Sequence, residues 1–325
     1  MAKQIGRQAS IGFGKESSRG TAVDPTFWIP WMTPTNVDDK VATIVNETSV
    51  ARIESSDGYA ITRKFAEFGW DTKMKDSHIG LIFLSLFGTV GSVAKSAPNA
   101  AVYDHTFSVL QSVQHPSLTI AFKDQNVDVR FPNAVVNTFK INFERESYIT
   151  YSLSTYSKPS ASASNTVAHT QENDFLPQHF TFKNAATQAD LDAATAVKIR
   201  SANIEFSQNL MFEDNLGSTS PNDILNQSFS VKGSVTLVHN ATTFSTIQNA
   251  GTYQALRFDL LHTTTIGASS NPELKIDLHR ASITNYAKSL PLNEIVTESF
   301  DFEGHYSLTD SKMVTAILTN LITAY

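Results

Sequence analysis

The 325 residues carry a net charge of −6, only 17% charged side chains and no cysteine. The chain is long enough for a large core, with two domains as the soft prior from length, and it excludes disulfides and Cys-ligated metals. Its acidity argues against tight binding to the outside of DNA, and no apolar run approaches the roughly 20 residues of a membrane-spanning helix. Abundant Thr, Ser and Asn, with 21 Phe and no long helical period, indicate an all-β protein with short helices.

Residues 1–34 read as an arm. Gly12, Gly14 and Gly20, with prolines at 25, 30 and 34, deny it a regular helix and make its ladder pairing intermittent. Phe27, Trp28, Ile29 and Trp31 give it an apolar payload that must pack on the fold or on a neighbour. The opening residues MAKQIGRQAS lack the apolar segment of a secretory signal, which points to synthesis in a reducing cytoplasm.

Residues 40–62 read as strand, long polar loop, strand, with Asp57-Gly58 as a turn signal. The loop carries Arg52, Glu54 and Asp57. Residues 65–88 then give a strand, Asp76 as helix N-cap, an apolar helix over 79–87 and Gly88 as C-terminal stop. A weaker copy of that layout recurs at 229–251, with Phe229, Gly233, Asn240 and Gly251 matched to Phe65, Gly69, Asp76 and Gly88. The helix is expected to flank its domain, and the strand edge of 65–88 is where a neighbour is expected to join. A long connection also precedes the second copy and holds Phe212, Glu213 and Asp214. Paired connections of this length indicate duplication and function.

Residues 140–143 and 148–156 alternate as strands, and 280–307 repeats them, with Ala134/Ala281, Val136/Ile283 and Phe139/Tyr286 at identical spacing. The Ser/Ala-rich stretch 157–166 reads as a linker. The organisation is therefore an arm (1–34), a β domain (35–156), the linker (157–166) and a second β domain (167–325). A closing strand is preferred over a helix within 311–325.

No catalytic constellation emerges. Residues 12–18 lack the first glycine of a phosphate-binding loop, and Glu16 stands where Ser or Thr would hold magnesium. The nine histidines include no i, i+4 metal pair. Asp301 and Glu303 alternate onto one solvated strand face rather than forming an acid/base pair. No cofactor, metal or enzymatic activity is expected.

The residues GFGKESSRGTAVDPTFWIPW, with Gly12, Glu16, Gly20, Thr21 and Pro25, resemble the N-terminal signature of tail tube proteins of long-tailed bacteriophages. The order of elements and the HPSLTIAF strand (115–122) are similar too. The resemblance implies two tandem β-barrel or β-sandwich domains, each with a flanking helix, in a structural virion protein. Such subunits form rings closed by sheet edges and stack into a hollow tube that DNA traverses. Two tube folds per chain imply trimeric, pseudo-hexameric rings, and a hexamer with an outer decorating domain stays open.

The resemblance makes the arm residues Phe13, Phe27, Trp28 and Trp31 candidate contacts between subunits or rings. The loop residues Arg52, Glu54, Asp57, Phe212, Glu213 and Asp214 are candidates for the same role. Asp71, Glu144, Asp301 and Glu303 are candidate lumen residues, with the inward sheet left open. Implied partners are other copies, the tape measure, terminator and distal tail proteins, and transiently DNA, in the virion tail after assembly in the host cytoplasm. The rival reading is a receptor- or carbohydrate-binding β-sandwich that stacks sugars on Trp70 and Tyr59, although core packing is favoured for Trp70.

Overall fold

In the strand Thr150–Ser157 every second residue, Tyr151, Leu153, Thr155 and Ser157, is buried, and those between lean the other way. That period is the signature of a strand with one face on a core. The computed structural model describes residues 5–325; residues 1–4 of the expected arm lie outside them. The described chain is all-β with two short α-helices.

The first half contains β1 (Ser10–Lys15), β2 (Phe27–Ile29), β3 (Thr33–Asn46), β4 (Gly58–Lys73), α1 (Ile79–Phe87), β5 (Gly88–Ala94), β6 (Tyr103–Val109), β7 (Leu118–Lys123), β8 (Asp128–Glu144), β9 (Thr150–Ser157) and β10 (Ala161–Ser162). The second contains β11 (Phe180–Ala185), β12 (Ala196–Val197), β13 (Ile199–Ser207), β14 (Leu210–Glu213), β15 (Asp223–Asn226), β16 (Ser230–Val238), α2 (Thr243–Ala250), β17 (Gln254–Leu261), β18 (Glu273–Ser289), β19 (Thr297–Gly304) and β20 (Val314–Asn320). Residues 311–325 thus include a strand, as preferred from the sequence.

Seven ladders occur twice. In the first half β1 pairs β2 and β7, β8 pairs β7, β9 and β10, and β4 pairs β3 and β9. In the second, β11 pairs β12 and β17, β18 pairs β17, β19 and β20, and β16 pairs β13 and β19. The spacing match between 134–139 and 281–286 holds in register. Val136 faces Thr155 as Ile283 faces Phe302, and Lys140 faces Ser152 as Ala287 faces Ser299, with a one-residue bulge between in both halves.

The glycine match does not hold. Phe68 faces Thr155 while Gly233 faces Phe302, so the counterpart of Gly233 is Phe68 and that of Gly69 is Ser234. A one-residue slip moves a side chain to the other face, so the two glycines serve different ends. At Gly233 a Cβ would sit 2.2 Å from the Asn203 carbonyl oxygen and 2.4 Å from the Phe302 ring.

The β8–β13 ladder joins the halves, so eight strands form one sheet in the order β3-β4-β9-β8-β13-β16-β19-β18. The long strands β8 and β18 also leave it. Their first halves pair β7 and β17, and in β8 the change of sheet falls at Asn133, where φ is 56°. A second sheet runs β12-β11-β17-β18-β20-β6-β5, so the β5–β6 hairpin of the first half extends a sheet of the second. Among the described residues no ladder returns to its start, and the expected barrels stay open.

All nine residues of α1 are buried. A helix apolar all round belongs inside a core, and α1 packs on β8, β6, β5 and β1 instead of flanking the domain. Phe83 contacts Phe87, Phe107 and Phe139 with ring centroids 5.5–5.6 Å apart. In α2 only Phe244 is buried, and that helix does lie at the surface.

Gly88 and Gly251 close the helices in the left-handed conformation at φ 89° and 62°, as expected. Asp76 and Asn240 are not the caps. The helices start later, after His78 and Thr242. The amides of Ser77 and His78, just ahead of the helix, donate to the Glu172 carboxylate instead, at 3.2 and 2.9 Å. Asp76 accepts from the Asn173 backbone and side chain, at 3.0 and 2.6 Å.

Candidate functional site

Registers across the long sheet place side chains in rows on the face away from the core. One row reads Asp71, Ser152, Lys140, Glu205, Lys232, Glu303, Ser282. The next reads Lys73, Thr150, Asn142, Asn203, Ser234, Asp301, Thr284. Glu144 lies four residues beyond Lys140 in β8 and faces Ser201. Asp71, Glu144, Asp301 and Glu303, separate in the sequence, therefore share one face.

That face is mostly hydroxyl and amide. Its lysines include Lys40, Lys73, Lys140 and Lys232, and its carboxylates include Glu67, Asp71, Glu144, Glu205, Asp301 and Glu303, a balance of 4 − 6 = −2 among these groups. Several charges are held in place. Lys232 Nζ lies 3.7 Å from Glu303, Lys73 Nζ lies 3.8 Å from Asp174, and Asn285 donates to Asp301 at 2.9 Å.

β4 is not an edge, since β3 and β9 pair both its sides. Among the described residues the free edges of the long sheet are β3 and the C-terminal half of β18. At one end the β3–β4 hairpin projects, with Arg52, Ile53, Glu54, Asp57 and Tyr59 all exposed. The matched connection of the second half folds back on its own chain. Phe212 packs 5.1 Å from both Phe65 and Tyr156, Asp214 pairs with Arg63 at 3.0 Å, and Glu213 accepts from Asn222.

The arm is woven into the fold. Phe13 is fully buried 5.3 Å from Trp70, and Trp28 is buried too. Trp70 is thus a core residue, as favoured from the sequence. Phe27 is half-buried near Tyr325, and the half-buried Trp31 indole donates to the Ala9 carbonyl at 3.0 Å. Glu16, buried, accepts from the amides of Gly20 (2.7 Å) and Asn133 (2.8 Å) and from the hydroxyls of Thr119 (3.0 Å) and Ser117. The glycine-rich opening and the 115–122 strand, noticed separately in the sequence, are thereby one lock. Arg19 extends it to the second half through Asp223 at 2.7 Å, and against the cost of burial the guanidinium, the Asn133 side-chain amide and the Ile224 backbone amide hold that carboxyl below its ordinary value.

Other buried polar groups are structural. His78 bridges Glu172 and the Tyr151 hydroxyl at 2.9 and 2.8 Å. His105, His115, His179 and His279 titrate below the ordinary histidine value, because burial disfavours the imidazolium. Asp259 moves up to about 6 through burial and then the nearby Glu273 carboxylate.

Lowered histidines contribute stability that is complete above about pH 6.5 and lost as pH falls below it, while Asp259 contributes stability on the acid side that fades as pH rises through about 6. Four such histidines oppose one such aspartate. The melting temperature near pH 5 is expected to fall several degrees below that near pH 7.5 by differential scanning fluorimetry. An equal or higher value near pH 5 contradicts the assignment.

Fold and surfaces define a β-structured protein with one extended polar sheet face bounded by free edges and a projecting hairpin. The phage tail tube protein family model matches residues 6–304, and the chain belongs to that family. A search of curated proteins finds no match.

Among the residues sequence reasoning missed are Lys140, Glu205 and Lys232. Their alternation within each strand was visible, but their partnership depends on strands far apart in the chain.

Proposed function

We propose that the chain is a non-enzymatic structural subunit of two tandem tube units, residues 35–156 and 167–325, joined by 157–166 and preceded by the arm of residues 1–34. Three chains, six units, form a ring, and rings stack into the tube that phage DNA traverses. The observation carrying this reading is the eight-strand sheet with one polar, weakly acidic face and an unpaired strand at each side. Free edges are a hazard for an isolated chain and a joining surface in a closed ring. By the repeated scheme β3 is the counterpart of β13 and β18 that of β8, so β18 of one chain meets β3 of the next as β8 meets β13.

The polar face lines the lumen and places Asp71, Glu144, Asp301 and Glu303 along the DNA path, where few basic contacts keep passage from becoming adhesion. The hairpin residues Arg52, Glu54 and Asp57 stack on the neighbouring ring. Phe13 and Trp28 are occupied in their own chain, and Phe212, Glu213 and Asp214 brace the base of the hairpin. Other tail proteins meet the tube at its ends and inside it, in a virion tail assembled in the host cytoplasm.

Removing residues 49–56 is expected to leave melting unchanged and abolish long tubes in negative-stain electron microscopy. Long tubes from that variant contradict the stacking role.

A further inference from the structure

One row of the polar face has a pattern that general acidity does not require. Lys140, Glu205, Lys232 and Glu303 stand directly opposite one another on four consecutive strands, alternating in sign and crossing the junction between the halves. On the lumen reading above, on which this inference rests, both lysines face passing DNA. We propose that Glu205 and Glu303 mask Lys140 and Lys232 from the DNA phosphates, so that the lumen carries lysines without gripping a polyanion.

The physics favours local cancellation. Neighbouring strands lie about 4.8 Å apart, and the screening length is about 8 Å at physiological salt. Opposite charges therefore alternate well inside one screening length, and a phosphate at that distance meets almost no net field from the row. Lys232 Nζ already sits 3.7 Å from Glu303, and Glu205 lies between both lysines in register. An unmasked lysine would form a phosphate contact of the kind that dominates non-specific DNA affinity and weakens with salt. Lys73, on the same face, follows the same rule from a neighbouring row, since its Nζ is 3.8 Å from Asp174.

The test uses assembled tubes and a short fluorescent single-stranded DNA that co-sediments with them at low salt. Tubes of E205Q/E303Q are expected to retain on the order of tenfold more DNA than the parent, with the excess lost on adding salt. Adding K140Q/K232Q to that variant should return retention to the parent level. Unchanged retention in E205Q/E303Q, or an excess that survives removal of the lysines, overturns the masking role.

Should the double variant fail to assemble, E303Q alone, at an exposed position, is expected to give a smaller excess that K232Q removes. No excess from E303Q tubes counts against the proposal equally. The lumen reading is checked separately with Asp71→Cys, the sole cysteine of that variant. In tubes it should react with a small maleimide but be shielded from a large polyethylene-glycol maleimide. Reaction with the large reagent as fast as in free subunits rejects the lumen assignment, whereas shielding with unchanged DNA retention rejects only the mask.

Discussion

Replacing Glu16 with alanine is expected to lower unfolding free energy by ~3–5 kcal/mol, measured as a fall in urea midpoint at unchanged slope. The buried carboxylate gathers the Gly20 and Asn133 amides and the Ser117 and Thr119 hydroxyls. Alanine strands all four donors where water cannot easily replace the lost oxygens, and each buried unsatisfied group costs about 1–3 kcal/mol before relaxation. Glu16→Gln keeps the length but turns one acceptor into a donor facing other donors, so a loss of roughly 1–3 kcal/mol is expected. Marginal stability of about 5–15 kcal/mol makes the alanine effect a large share of the whole. A change below about 0.5 kcal/mol would mean that the lock does not hold β1 to β7.

Glu16 also illustrates what the sequence could tell. An acid amid glycines was visible as an anomaly that excluded a phosphate loop, but neither its burial nor its capping role was. Apart from Gly20, its partners lie about a hundred residues away, at 117, 119 and 133, and no local period points to them. The strands themselves were legible because a half-buried strand writes its two-residue period into the chain, as in β9. The duplication was legible for the same reason where both copies keep their packing, along β8 and β18.

It was misread by one residue where glycine served as the marker. Gly233 is there because Asn203 and Phe302 leave no room for a Cβ, a demand absent at the corresponding Phe68. The apolar run of α1 announced a helix, but its enclosure depends on the β5–β6 hairpin, which only the first half possesses. The four acidic candidates each carried a strand-face parity. Only the ladders between strands, above all β8 with β13, turn four parities into one surface.

The ladder that joins the halves also predicts how chains join. Ile141 of β8 faces Ile204 of β13. Ile141 pairs with Tyr151, whose counterpart in β19 is Glu298, and Glu298 faces Lys288. Ile204 pairs with Gly233, whose counterpart is Phe68, and Phe68 faces Val37. If the ring repeats the internal junction, Lys288 of one chain opposes Val37 of the next. Directly opposed residues in antiparallel strands have Cα atoms about 4.5–5.5 Å apart, within the span a disulfide bridges. The chain has no cysteine of its own, so V37C/K288C forms no competing bridge. Oxidised tubes of that variant are expected to run on a non-reducing gel as a ladder ending at three chains, collapsing to monomer with reductant, while neither single variant cross-links beyond background. Monomers from intact tubes would reject the register. A ladder ending at six chains would retain the register and replace the trimeric ring with a hexameric one, because only the number of junctions needed to close the ring would differ.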